Sequence, residues 1–88
     1  MNRYLVEFLG SALLVYIILA TGNPLAIGAV LALILLATSH ISSGFVNPIV
    51  TIVMASIGKI DIADLIPYIL SQVLGGLVGL ELYKRFRL

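Results

Sequence analysis

Apolar residues dominate the chain, and the few polar positions divide it into segments. No Asp, Glu, Lys or Arg occurs between Phe8 and Gly58, a run of 51 residues. A helix needs about 20 apolar residues to cross a hydrocarbon core about 30 Å thick. The run therefore has room for two crossings, and its turn residues indicate where each one ends. This pattern predicts an all-α, multi-pass integral membrane protein.

Turn residues predict three spans within one membrane domain, residues 1–88. The Thr21–Pro24 turn separates a first span, roughly residues 4–20, from a short second span, roughly residues 25–39. A third span, roughly residues 62–83, follows the polar turn around Gly58. Asp61 or Asp64 is expected to cap its N-terminus.

The segment between the second and third spans is too short to cross the bilayer. Residues 48–57 would form a helix of only about 15 Å, and the preceding residues 40–46 contain Ser42, Ser43 and Gly44. Irregular backbone at membrane depth is tolerated only inside protein or beside a wet cavity. We therefore predict that residues 40–57 form a re-entrant loop and half-helix.

Asn47 and Pro48 form a favourable start for this half-helix. Proline at the first helical position loses no needed hydrogen bond, and an asparagine N-cap accepts from a backbone N–H with its side-chain oxygen. The amide NH₂ then points outward beside the positive end of the helix dipole. This arrangement suits a neutral, hydrogen-bonding solute and repels a cation.

Composition excludes several other classes of function. Hydrophobic residues make up 61% of the chain and charged residues 10%, and the net charge is +1. This leaves too little polar surface for a soluble enzyme, and no basic stripe for nucleic acid. With no cysteine and one histidine, we expect no metal site and no cofactor. The expected surroundings are the lipid bilayer.

The segment His40–Thr51 reads H-I-S-S-G-F-V-N-P-I-V-T and resembles the H-x-S-G-x-x-x-N-P-A-V-T loop of the major intrinsic proteins, the aquaporins and aquaglyceroporins. Glu7–Ser11 is similar to the E-x-x-G-[TS] pattern of that family's first helix. Gln72–Gly76 is similar to the A-Q-x-x-G-G pattern of its third helix. The resemblance implies half of an inverted-repeat fold, with three transmembrane helices and one re-entrant half-helix.

The resemblance also implies roles for individual residues. Asn47, Pro48 and Ile49 would form the pore-lining motif. Support for the loop would come from a set of four polar or small residues, Glu7, His40, Ser42 and Gly44. Gln72 is expected to bond between helices, because a buried amide must find partners. Gly75 and Gly79 fit a small-xxx-small face for close helix packing within or between subunits.

Several positions depart from the family pattern. Ile49 stands where alanine is usual, and Ser43 and Phe45 stand where glycine and histidine are common. Val50 occupies the place at which the family's second motif carries a filter arginine, and Ile27 falls near a filter position that is often aromatic. A filter built from Ile27 and Val50 would be apolar and wide, which favours glycerol-like solutes at least as much as water.

The chain resembles only the first half of a family member, so we expect it to function through self-association. Inverted-repeat folds oppose two halves, and an antiparallel homodimer would reproduce this arrangement. Two basic side chains on one side face three on the other (Arg3 and Lys59 against Lys84, Arg85 and Arg87), so the positive-inside rule gives little orientation preference. The family's tetramers imply up to four such pores.

Two alternatives to a water or polyol channel stay open. One is half of a dual-topology transporter, which needs a carboxylate near mid-span, whereas Glu7 and Glu81 lie near span ends. The other is a structural or holin-like membrane protein with a vestigial channel motif. Dependence on Asn47 distinguishes a channel from both. No catalytic dyad or phosphate loop is present, so we do not expect an enzyme.

Overall fold

The computed structural model describes residues 2–87, and these residues contain four α-helices and no strand. The helices are α1 (Arg3–Thr21), α2 (Pro24–Ser42), α3 (Pro48–Ser56) and α4 (Leu65–Arg85), the last preceded by a 3₁₀ turn over Ile62–Asp64. Three helical segments are long and apolar enough to cross a membrane: Arg3–Thr21, Pro24–Ser42 and Ile62–Arg85. The prediction of an all-α protein with three long apolar helices is therefore confirmed.

Local capping chemistry explains where α1 and α2 begin and end. Asn2 accepts hydrogen bonds from the N–H groups of Tyr4 and Leu5, which starts α1. Gly22, with φ of 55°, ends it in the left-handed conformation that glycine adopts at little cost. Asn23 then caps α2, with Pro24 at its first position.

The second span is longer than the sequence pattern predicts. It was expected to end near Ser39, with an irregular stretch from His40 onward, but α2 continues to Ser42. Its 19 residues cover about 28 Å, enough for a full crossing. Polar side chains do not stop a helix by themselves, and the actual stop is the left-handed backbone of Ser43, with φ of 71°. The irregular stretch is therefore only residues 43–47.

The start of the third span also differs from the expectation. Neither Asp61 nor Asp64 makes a side-chain cap hydrogen bond. Asp64 instead accepts from the Arg3 guanidinium at 2.8 Å and from the Tyr4 hydroxyl at 2.7 Å. Because these partners lie on α1, Asp64 ties the first turn of α1 to the start of α4. It stabilises helix association instead of a helix end.

Helices α1 and α4 run parallel and approach closely. A Cβ atom added to Gly75 would lie 2.2 Å from the carbonyl oxygen of Phe8, and one added to Gly79 would lie 2.5 Å from that of Ala12. Only glycine allows backbones to approach this closely, as in small-residue interfaces of other membrane helices. The two glycines thus pack within one chain, and the close approach lets the Gln72 side chain on α4 reach Glu7 on α1.

Candidate functional site: the Asn47 half-helix and its buried support

The half-helix α3 begins at Asn47 as the sequence predicts. The Asn47 side-chain oxygen accepts from the backbone N–H of Ile49 at 2.8 Å, and Pro48 occupies the first helical position. With the oxygen engaged, the NH₂ group is the outward donor, and it makes no hydrogen bond within residues 2–87. The side chain is exposed. A fixed donor therefore lies at the positive end of a short helix dipole.

The five residues before α3 follow an unusual path. Ser43, Gly44 and Val46 all have positive φ, at 71°, 65° and 44°. This conformation is rare for a β-branched residue such as Val46 and indicates local strain. Gly44 is also confined by space, because an added Cβ would lie 2.9 Å from the Leu35 side chain and 3.0 Å from the Thr38 hydroxyl. The path persists only because surrounding groups hold it.

Glu7 is the main group that holds this loop. Its side chain is completely buried. One carboxylate oxygen accepts from the Val46 N–H at 2.9 Å and the other from the Ser42 hydroxyl at 2.7 Å. A buried carboxylate is costly unless its oxygens are hydrogen-bonded, and here the partners come from the segment that leads to Asn47. The carboxylate thus fixes both the end of α2 and the strained residue before the cap.

Gln72 connects the same carboxylate to the half-helix. Its Nε2 donates to Glu7 at 2.8 Å and to the Thr51 hydroxyl at 2.7 Å. Thr51 in turn donates to the backbone carbonyl of Asn47 at 2.8 Å. A continuous chain of hydrogen bonds, buried except for the part-buried last one, therefore leads from α1 through α4 to the residue that caps α3.

Two residues of this network were not identified as site residues from the sequence. Thr51 is fully buried. It is the last residue of the His40–Thr51 segment that resembles the family pattern, and that pattern is the signal that points to it. Tyr68 lies near the start of the third span; it is buried and donates to the Ser42 carbonyl at 3.1 Å. Phe45 packs edge-on against the Tyr68 ring, with centroids 5.8 Å apart. No local sequence signal distinguishes such a buried tyrosine from one that lies at the membrane–water interface.

Other predicted site residues lie outside the network. His40 is exposed on the last turn of α2 and makes no hydrogen bond within the described residues. Ile49 is 68% exposed beside Asn47. The proposed filter residues Ile27 and Val50 are each half-buried. Within residues 2–87, no three His, Cys, Asp or Glu side chains are grouped as metal ligands would be.

Comparisons with known proteins show which sequences this chain resembles. The family model described as "Major intrinsic protein" matches residues 20–87. A glycerol uptake facilitator protein-like 6 from Lactiplantibacillus plantarum is 38% identical, covering 98% of this chain and 44% of that protein. Aquaporin-8 from Notomys alexis is 39% identical, covering 90% of this chain and 34% of that protein.

A shorter match involves Aquaporin Z from Photorhabdus laumondii, 41% identical over 66% of this chain and 25% of that protein. The chain spans less than half the length of these relatives. No solved structure matches it. The family match, the three apolar helices and the buried support of an Asn-Pro half-helix together identify an integral membrane protein that belongs to the major intrinsic protein family.

Proposed function

We propose that the chain forms part of a passive transmembrane channel for water and/or small neutral solutes such as glycerol. The observation that carries this proposal is the Asn47 cap. Its oxygen is engaged by Ile49 and its NH₂ group is exposed, so a donor of fixed direction faces outward at the end of a half-helix. The names of the relatives, an aquaporin and a glycerol uptake facilitator protein, support the same class of permeant.

The electrostatics of this end favour a neutral solute. The N-terminus of a helix carries roughly half a positive charge, which repels cations, while the Asn47 amide can donate to a water or hydroxyl oxygen. Backbone carbonyls of the loop would supply acceptors along the path. The role requires no chemistry on the permeant, so the proposed protein is not an enzyme and uses no cofactor.

The channel is proposed to form from half-length chains in antiparallel pairs. The exposed Asn47 and Ile49 leave the outer side of the half-helix start uncovered, and an irregular segment at membrane depth must be covered by protein. A second, inverted copy would supply that cover. Arg3 and Lys59 lie at one end of the helices and three basic residues at the other, so both orientations are compatible with the positive-inside rule. Four such pores could gather as in family tetramers.

Osmotic shrinkage of liposomes tests the channel. We expect stopped-flow water or glycerol flux to be fast in liposomes that carry the wild-type chain. The flux should fall at least about tenfold in Asn47→Asp, in which the helix cap is retained but the donor is replaced by a negative charge. Asn23→Asp is the matched control, since Asn23 caps α2 in the same way but lies in a turn between spans. Equal loss in both variants would contradict a pore at Asn47.

Cysteine cross-linking tests the antiparallel pair, because the chain contains no cysteine of its own. In a pair inverted about an axis in the membrane plane, only residues near mid-membrane meet their own copies. We expect Ile49→Cys to form a disulfide-linked dimer and Ile66→Cys not to, although both isoleucines are exposed. A dimer from Ile66→Cys alone would show parallel association. If the wild-type chain conducts water or glycerol but Ile49→Cys forms no disulfide-linked dimer, the channel is supported and the antiparallel pair is refuted.

The second candidate is a structural or holin-like membrane protein with a vestigial motif. Ile49 favours it, because a large, 68% exposed side chain stands next to Asn47 where the family pattern has alanine. Flux no greater than that of empty liposomes, from a folded oligomer, would support this candidate. Nonselective leakage that does not depend on Asn47 would support its holin-like form.

A further inference from the structure

Three exposed basic residues lie together where α4 ends, and they form the basic cluster: Lys84, Arg85 and Arg87. The Lys84 ammonium lies 3.5 Å from the carboxylate of Glu81, one turn earlier on the same helix. Arg85 and Arg87 form no ion pair within residues 2–87. Three positive charges against one negative leave this end of the molecule with a surplus of positive charge on its described side chains.

The surface at the opposite end of the helices is balanced in charge. Arg3 forms an ion pair with Asp64 at 2.8 Å, and Lys59 and Asp61 lie close together in the turn before α4. Two basic and two acidic side chains thus offset each other at this surface. A ligand of net negative charge is therefore attracted to the basic cluster and not to the balanced end.

The length of α4 places the basic cluster at a membrane surface. The helix has 21 residues, which rise about 32 Å, and the hydrocarbon core of a bilayer is about 30 Å thick. Because the charged pair of Arg3 and Asp64 marks one boundary of the core, Arg85 lies at the other boundary. Tyr16 and Tyr83 lie at the same end, which is typical of tyrosines at the depth of lipid headgroups.

Two contacts hold the residues that follow α4 in place. The Tyr16 hydroxyl donates to the carbonyl of Phe86, which ties this segment to α1. The Arg87 guanidinium lies over the ring of Tyr83, 5.2 Å from its centroid. Such a contact with an aromatic face leaves the N–H groups at the guanidinium edges available to other acceptors. The exposed Arg87 donors are thus positioned at headgroup depth.

We propose that the basic cluster binds the headgroup of an anionic phospholipid. Guanidinium groups bind phosphate oxygens through paired, charge-assisted hydrogen bonds. A zwitterionic headgroup brings its own cation and leaves the surplus positive charge in place, whereas an anionic headgroup such as that of phosphatidylglycerol offsets part of it. Lipid is the source of the phosphate because the cluster lies at the membrane surface. Binding of this lipid does not require that the chain conduct solutes.

Native mass spectrometry of the detergent-solubilised chain, titrated with phosphatidylglycerol or phosphatidylcholine, tests this proposal. We expect the wild-type chain to bind phosphatidylglycerol at least about fivefold more tightly, the contribution of one basic residue at an anionic surface. The double variant Arg85→Gln/Arg87→Gln should lose at least about fivefold of this affinity. Lys59→Gln is the matched control and should change it less than about twofold, because Lys59 lies at the balanced end, beyond the Debye length. Equal affinity of the wild type for both lipids, or equal loss in both variants, would overturn the proposal.

Glu81→Gln should change the affinity in the opposite direction. The Glu81 side chain is 57% exposed and lies beside the cluster, so its neutralisation should tighten phosphatidylglycerol binding by about two- to fivefold without disturbing the fold. Weaker binding by this variant would overturn the charge argument. Inorganic phosphate distinguishes lipid from free anion. We expect phosphatidylglycerol to raise the Tm of the wild-type chain at concentrations at which inorganic phosphate has no effect, and equal protection by both would overturn the lipid as the ligand.

Discussion

The chain uses the Asn-Pro pair twice, and both copies begin a helix. Asn23 and Asn47 each adopt an extended backbone, accept backbone N–H groups with the side-chain oxygen and precede a proline at the first helical position. Asn23 is the fuller cap, because it accepts from two N–H groups, at 2.8 and 3.2 Å. Asn47 accepts from one, at 2.8 Å.

The surroundings of the two pairs differ much more than the caps. The Asn23 N–H bonds to the exposed Thr21 hydroxyl at 3.2 Å in a short turn. The residue before Asn47 is instead anchored by the fully buried Glu7. The dipeptide thus specifies only that a helix starts. The network contributed by distant helices distinguishes them: it holds the strained loop that ends at Asn47, whereas Asn23 lies in a short turn.

The largest effect is expected from removing the centre of that network. Glu7→Leu would leave three buried donor hydrogens without an acceptor: those of the Val46 N–H and the Ser42 hydroxyl, and one of the two on the Gln72 amide, whose other hydrogen keeps its bond to Thr51. Each unsatisfied group costs about 1–3 kcal/mol, so we expect a loss of at least about 3 kcal/mol in the free energy of unfolding. Thr21→Val, which removes the corresponding support of Asn23, should change it by less than about 0.5 kcal/mol, because the site is exposed. Equal effects, measured by denaturant unfolding in detergent, would refute the contrast.

A glycine pair gives the next largest effect, with opposite signs at the two sites. Gly75→Ala places a Cβ 2.2 Å from the Phe8 carbonyl oxygen, and the forced separation of α1 and α4 should cost about 1–3 kcal/mol. Gly28→Ala lies one turn into the helix that Asn23 starts, where an added Cβ meets nothing within 4 Å. It should stabilise by up to about 1 kcal/mol through helix propensity. Destabilisation of similar size by both substitutions would contradict this prediction.

The smallest effect separates the caps themselves. Removal of an asparagine N-cap costs about 0.5–2 kcal/mol. Because Asn23 makes two cap hydrogen bonds and Asn47 one, Asn23→Ala should destabilise the fold at least as much as Asn47→Ala, although only Asn47→Ala should reduce solute flux. Stability and flux should be measured on the same preparations. They would show whether Asn23→Ala loses at least as much stability as Asn47→Ala while only Asn47→Ala loses flux. A loss of flux from Asn23→Ala in a folded sample would remove the distinction.

Features that depend on neighbouring residues could be predicted from the sequence. The cap at Asn47, the turn at Gly22 and three long helices follow from local chemistry and hydropathy. The end of α2 could not be predicted in this way, since the left-handed Ser43 depends on contacts around Gly44 and Glu7. Asp64 satisfies the rules for a cap but bonds to Arg3 and Tyr4, which lie 61 and 60 positions earlier in the chain. Tyr68 and Thr51 depend in the same way on partners that only the tertiary fold brings near.

The separation of Glu7 from Gln72, 65 positions along the chain, has a consequence for biosynthesis. At about 5–20 residues per second, a ribosome needs roughly 3–13 s to make the intervening segment. The Glu7 carboxylate is therefore synthesised several seconds before the Gln72 amide that completes its hydrogen bonds. Insertion of α1 and the arrival of α4 are thereby coupled in time. Helix α1 gains the Gln72 partner of Glu7 only when α4 has been made, so its stable placement in the membrane must await the synthesis of α4.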